Sequence, residues 1–247
     1  MHKAFSETVQ RPFPLPSKPW VMTQMWENLL FSHWPIPLDI IRKHVPPSLK
    51  MDLYQGSAWL GVIPFYVNHM KLRGVPEIPY LRSYIELNVR TYVTYQGKPG
   101  IYFFRLDANK WPAVIGGRIV AFLPYRLAQM NMKITDNKIY FQSESQNPSG
   151  SKKVLNLTYS STSKAYLPPQ NSLEYWLFER YCFFTARGNH LYRGDIHHDR
   201  WRVCSAEAMV HTNTIASFLP HSFFESSPLV HFTAQKKVFI WPLNKLT

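Results

Sequence analysis

Residues 83–93 read SYIELNVRTYV, and along them Ile85, Leu87, Val89, Thr91 and Val93 alternate with Tyr84, Glu86, Asn88, Arg90 and Tyr92. A period of two is the signature of a β-strand whose faces meet different surroundings. YQGKPG (95–100) supplies a turn and IYFFRL (101–106) a returning strand, so the segment is expected to form a β-hairpin. Runs of strand length recur around it: SAWLGVIPFYVNHMKL (57–72), KIYFQSES (138–145), KVLNLTYS (153–160), RYCFFTA (180–186), HLYRGDI (190–196), RVCSAEAMV (202–210) and LVHFTAQKKVFIW (229–241). About ten strands with few helices make the chain mainly β, a barrel or a sandwich.

Three helices interrupt the pattern. PLDIIRKH (37–44) is closed by Val45-Pro46-Pro47, because the residue before a proline disfavours helical geometry. PQNSLEYWLFERY (169–181) carries Asn171 and Glu174 at capping-box spacing. In DANKWPAVIGGRIVAFLP (107–124), Asn109 is positioned to cap a helix with Pro112 in its first turn and Pro124 as its stop. Gly116-Gly117 would cost a helix about 1 kcal/mol each relative to alanine, so the pair implies close approach to a neighbouring strand.

The 247 residues are 45% hydrophobic, enough for a substantial core. Pro12, Pro14, Pro16 and Pro19 make residues 1–19 an extended proline-rich arm, and residues 20–247 are read as a single barrel domain. The net charge of +13 favours anions of any kind, but the basic residues are scattered in ones and twos. No nucleic-acid motif accompanies them, so no specific nucleic-acid partner is expected. Cys182 and Cys204 are read as reduced thiols, Cys182 as an inert core residue. The opening residues lack the apolar centre of a signal peptide, and no apolar run approaches the roughly 18 to 20 residues that span a bilayer. The expected location is cytoplasmic.

The polar face of the first hairpin strand, Tyr84, Glu86, Asn88, Arg90 and Tyr92, has two readings. It meets water, or it lines a barrel interior where hydroxyls, an amide and paired charges hold a polar ligand. DIHHDRW (195–201) crowds Asp195, His197, His198 and Asp199, but neighbouring residues on a strand point to opposite faces. No metal is expected there, and no nucleophile elbow, phosphate loop or dinucleotide fingerprint is present, so no cofactor is expected either.

HVPPSLKMD (44–52), SYIELNVRTYV (83–93), GKPGIYFFRLDA (97–108), GGRIVAFLPYRLAQM (116–130), LEYWLFERY (173–181) and PLVHFTAQKKVFIW (228–241) together resemble the YqjF-like group of uncharacterised bacterial proteins, distantly related to acetoacetate decarboxylase. The resemblance spans roughly residues 20 to 243. It implies an acetoacetate decarboxylase-like, cone-shaped antiparallel β-barrel with flanking small sheets, a few short helices and an internal pocket. In the decarboxylase a Tyr-x-Glu strand is followed by a Gly-Arg-Glu helix ending in Pro-Lys-Lys, whose first lysine forms the Schiff base. Its partner lysine keeps that amine free near neutral pH.

This chain matches the first element with Tyr84-x-Glu86 and the second with Gly117-Arg118, but Ile119 stands in place of the glutamate. Pro124-Tyr125-Arg126 then stands where Pro-Lys-Lys would be, so the resemblance puts Tyr125 at the nucleophile position and Arg126 at that of its partner. An arginine before the first helix and a second glutamate of the decarboxylase have no clear match; Asn28 and GVIPF (61–65) lie near those places. A phenol forms no iminium ion, so Schiff-base decarboxylation is not expected.

Two functions follow as alternatives. One is a small-molecule binding protein for an organic acid or other carbonyl compound, with Arg118 or Arg126 pairing an anionic group and Glu86 and Tyr125 hydrogen-bonding. The other is an enzyme in which Tyr125, its pKa lowered by Arg126, exchanges protons with a carbonyl substrate together with Glu86. An edge-forming barrel is also compatible with a homo-oligomer.

Overall fold

The computed structural model describes residues 2–146 and 150–247. The strands are β1 (Met22–Ile36), β2 (Lys50–Met51), β3 (Ala58–Leu72), β4 (Tyr84–Tyr95), β5 (Lys98–Ala108), β6 (Tyr125–Leu127), β7 (Gln129–Thr135), β8 (Lys138–Gln146), β9 (Lys152–Ser161), β10 (Cys182–Arg187), β11 (His190–His197), β12 (Cys204–Asn213) and β13 (Leu229–Lys245). The short helices are α1 (Leu38–Ile41), α2 (Trp111–Ile119) and α3 (Leu173–Phe178). β1, β3, β4, β5, β10, β11 and β13 form a closed barrel, sealed by antiparallel pairing of β1 with β13 from Met22↔Ile240 to His33↔Leu229. The barrel ladders are antiparallel except where β5 meets β10. β13 also pairs with β12, which leads into an outer sheet ordered β12-β9-β8-β7.

The hairpin expected around residues 95–100 joins β4 to β5, and its two central residues, Gln96 and Gly97, have φ of 49° and 75°. Positive φ at both central positions matches the turn to the right-handed twist of the strands. The alternation along β4 has a sharper meaning than a wet and a dry face, because every residue from Tyr84 to Val93 is buried. Ile85, Leu87, Val89 and Val93 pack in one apolar cluster with Ile139 and Phe141 of β8 and Leu155, Leu157 and Tyr159 of β9. Tyr84 and Tyr92 belong to a second cluster with Phe31, Phe65, Phe178 and Trp201, inside the barrel. The polar face of β4 therefore looks inward.

Several local expectations shift. The cap of α2 is Lys110; the Asn109 side chain instead accepts the Ile85 backbone N–H at 2.8 Å, tying the helix start to β4. Ser172, one position after Asn171, caps α3 by accepting the Tyr175 N–H at 3.1 Å. α2 ends at Ile119, before Pro124, which leads into β6. β1, absent from the strands expected from sequence, spans 15 residues. Its pairing with β3 shifts register between Glu27 and Ser32, where Asn28 has a φ of 54°. The proline-rich residues 2–19 lie against β11 and β13, with Ala4 and Phe5 packed on Phe239 and Trp241 and Arg11 donating to the Ile196 carbonyl at 2.9 Å. Among the described residues, no helix is long and apolar enough to cross a membrane.

Candidate functional site

Glu86 points into the barrel from β4 and is 5% exposed. Tyr125, the first residue of β6, turns its hydroxyl inward and donates to Glu86 Oε2 at 2.9 Å. Gly117 makes this possible: any side chain there would run into the Tyr125 ring, which lies against α2. The close approach implied by the Gly-Gly pair is thus real at Gly117, made by a tyrosine ring, while Gly116 has open space. Arg118 fixes the same joint by donating its Nε to the Tyr125 carbonyl at 2.6 Å.

Burial raises the Glu86 pKa to about 7, with hydrogen bonding from Tyr125, Asn88 and Tyr84 acting in the opposite direction. Burial and the Glu86 charge push Tyr125 well above the usual phenol range. This corrects the expectation that Arg126 lowers the Tyr125 pKa. Adjacent strand residues face opposite ways, and Arg126 points to Arg105 and Asp107, its own pKa lowered by burial and by the Arg105 charge. Arg105 and Asp107 form a buried ion pair at 2.8 Å, supported by the Ser145 hydroxyl, which donates to Asp107 at 3.2 Å.

An opening in the barrel wall lies beside this pair. On one edge β5 pairs with β10 at Ile101 and Tyr102 and with β6 at Leu106 to Ala108, so the wall is interrupted at residues 103–105. A cleft of about 740 Å³ occupies the gap, lined among others by Phe103, Phe122, Tyr125 and Thr185. Arg118, Arg126 and Arg187 also line it, so the rim is strongly positive. Phe122, at a φ of 52°, presents its carbonyl to the Thr185 hydroxyl at 2.6 Å and its ring to the Arg187 guanidinium at 4.5 Å.

The remaining inward residues of β4 lie deeper. Tyr84 accepts from Gln24 Nε2 at 3.0 Å, and Gln24 in turn accepts from Trp26 Nε1 at 2.7 Å. Asn88 keeps a buried carbonyl oxygen without a partner. Arg90 is 8% exposed and pairs across the ladder with Phe103, a residue of the cleft wall. The Tyr92 hydroxyl meets His33 Nε2 at 2.7 Å, and its ring lies 4.7 Å from that of Trp176. Tyr84, Glu86, Asn88, Arg90, Tyr92 and Tyr125 thus share the barrel interior, whereas Arg118 and Arg126 stand at its rim. Sequence reasoning missed Gln24, His33, Thr185 and Arg187; of these only the alternation in FSHW (31–34) hinted at an inward His33.

His197 and His198 are engaged apart, His197 Nε2 with the Ala4 carbonyl at 2.7 Å and His198 Nδ1 with the Asp199 carbonyl at 2.8 Å. Among the described residues no group of three or more His, Cys, Asp or Glu side chains is placed to hold a metal ion.

A family model described as an uncharacterized conserved protein, DUF2071, matches residues 23–237. The chain belongs to the DUF2071 family. Over 236 residues it is 40% identical to the uncharacterized protein YqjF of Bacillus subtilis (strain 168), covering 96% of this chain and 97% of that protein. Among solved structures, this DUF2071 chain is similar to the enduracididine biosynthesis enzyme MppR complexed with pyruvate, with a TM-score of 0.65, 9% identity, and coverage of 94% and 92% of the two chains. It is also similar to acetoacetate decarboxylase from Legionella pneumophila subsp. pneumophila str. Philadelphia 1, with a TM-score of 0.61, 13% identity, and coverage of 100% and 96%. At such identities the likeness shows the fold, an acetoacetate decarboxylase-like barrel, and not the chemistry.

Proposed function

We propose that this DUF2071 protein binds a small organic acid or other carbonyl compound inside its barrel and performs no Schiff-base decarboxylation. The observation that carries this reading is the buried Glu86–Tyr125 hydrogen bond beside an arginine-rimmed opening in the wall. A carboxyl buried within the barrel, with a phenol as its partner, offers both a donor and an acceptor to a carbonyl or hydroxyl oxygen. Arg118, Arg126 and Arg187 raise the local concentration of anions at the mouth. That the solved relative MppR is described with pyruvate bound is consistent with a keto acid as the ligand class. In this reading Tyr125 stands where the resemblance puts the lysine nucleophile, so no iminium forms.

The second reading, an acid–base enzyme acting on a carbonyl substrate, is favoured by one observation. A Glu86 pKa of about 7 lets that carboxyl give or take a proton near neutrality. Tyr125, held protonated, then serves as a donor and never as the base.

Thermal shift and calorimetry with a panel of 2-oxo acids, including pyruvate and acetoacetate, test the binding reading. Wild type should bind at least one of them, and Tyr125→Phe or Glu86→Gln should weaken it. Proton NMR of the same mixtures distinguishes turnover from binding alone. Borohydride reduction with acetoacetate should leave the intact mass unchanged; a stable lysine adduct would overturn the exclusion of Schiff-base chemistry. Binding that is indifferent to both variants would remove the site from the barrel interior.

A further inference from the structure

We infer that the barrel interior holds a dedicated carboxylate-docking site at Arg90, deeper than the rim arginines, and that its ligands are elongated aromatic monocarboxylates. This rests on the proposal that the cleft admits an organic acid, and adds where the acid group goes and what carries it.

Among the described residues four arginines are buried: Arg11, Arg90, Arg105 and Arg180. Arg105 is paired with Asp107 at 2.8 Å and Arg180 with Asp52 at 2.5 Å, while Arg11 donates to two backbone carbonyls. Arg90 alone of the four has neither ion pair nor hydrogen bond, and its Nε is buried without a partner. Buried guanidinium groups otherwise find carboxylates or carbonyls, because an uncompensated charge in a low-dielectric interior is costly. An Arg left without one inside a barrel is a counter-charge awaiting an anion.

The surroundings agree. His33 Nδ1 and His231 Nδ1 are buried without partners and flank the Phe178 ring, at centroid distances of 6.0 Å and 5.3 Å. The Arg90 guanidinium carbon lies 5.8 Å from the ring centroids of both Phe31 and Tyr92. Gly61 sits between His33 and Arg90 in the ladder, and a Cβ there would approach them at 3.2 Å and 3.3 Å, so its absence lets the two close over the same spot. The surroundings therefore offer a cation and two unpartnered imidazole nitrogens set among aromatic faces, which suits a carboxylate on an aromatic ring better than an inorganic anion with nothing apolar to bury. Glu86 and Arg90, four residues apart on β4, are about 13 Å apart at their Cα atoms. A ligand that touches both is elongated, with its acid on Arg90 and a carbonyl or hydroxyl at Glu86 and Tyr125.

The test uses benzoate, its neutral counterpart benzamide, and 4-acetylbenzoate, measured by calorimetry on the full chain at constant ionic strength. Wild type should bind benzoate at least about tenfold more tightly than benzamide, and 4-acetylbenzoate more tightly still. Arg90→Met should weaken both acids about tenfold or more, while Tyr125→Phe should remove the advantage of the acetyl group. The ligand-free Arg90→Met protein should melt no lower than wild type, since it loses an unpaired charge. Acids that bind Arg90→Met as well as wild type, wild-type benzoate binding equalled by chloride or phosphate, or an Arg90→Met protein that fails to fold would each overturn the inference. Oxo-acid binding that depends on Tyr125 but not on Arg90 would sink the docking site and leave the proposed function standing.

Discussion

Replacing Glu86 by glutamine tests the electrostatics of the site without a ligand. The barrel moves the carboxyl from an ordinary value of 4.5 to about 7, chiefly by burial. A group whose folded pKa is raised favours folding fully below 4.5, and that contribution fades as pH rises through about 7. At about 1.4 kcal/mol per pH unit, the interval amounts to about 3 kcal/mol. Glutamine keeps a carbonyl oxygen to accept the Tyr125 hydroxyl but has nothing to ionise. Urea unfolding of both proteins from pH 4.5 to 8 isolates the effect, because every other titrating group cancels in the difference. The stability of wild type relative to Glu86→Gln should fall by about 3 kcal/mol across this window, most of it between pH 4.5 and 7. Parallel curves would mean that Glu86 is solvated in the folded protein, and the buried Glu86–Tyr125 pair would have to be abandoned as a site.

Gly117→Ala should displace the Tyr125 ring and cost about 1 to 3 kcal/mol in chemical denaturation, with Gly116→Ala as a benign control. Burial pushes the Cys182 thiol up to about 12, so a thiol reagent at pH 8 should label native protein at Cys204 alone, and both cysteines after unfolding. Asp52→Asn leaves the buried Arg180 without its carboxylate and should destabilise by about 3 to 5 kcal/mol, a contrast with the harmless Arg90→Met that one thermal melt reads directly.

The hairpin of β4 and β5 was legible because alternation over ten residues and a Gln-Gly turn are local signals. The alternation says that two faces differ, but it does not say what covers each. The outer sheet that buries Ile85 and Leu87 comes from residues more than forty positions away. β1 escaped notice because Pro35 and the register shift near Asn28 break its periodicity. The meeting of Glu86 and Tyr125, 39 residues apart, was suggested by family resemblance and by nothing periodic. That same resemblance gave Arg126 a position but not a direction, and strand parity turns it away from Tyr125. The surroundings of Arg90 join residues of β1, β3, β4, α3 and β13, a convergence that only the register of a closed barrel brings about.

β13 pairs with β1, β11 and β12, and the barrel closes only when residue 240 meets residue 22. Contacts so remote in sequence carry a large loop-closure entropy and make folding slow. Until that seam forms, the inward face of β4 should stay hydrated, with Arg90 bearing no desolvation cost. Closure of the seam and drying of the barrel interior should then be a single kinetic event. Substitutions that lighten the interior charge should therefore speed refolding, and a bound acid should slow unfolding.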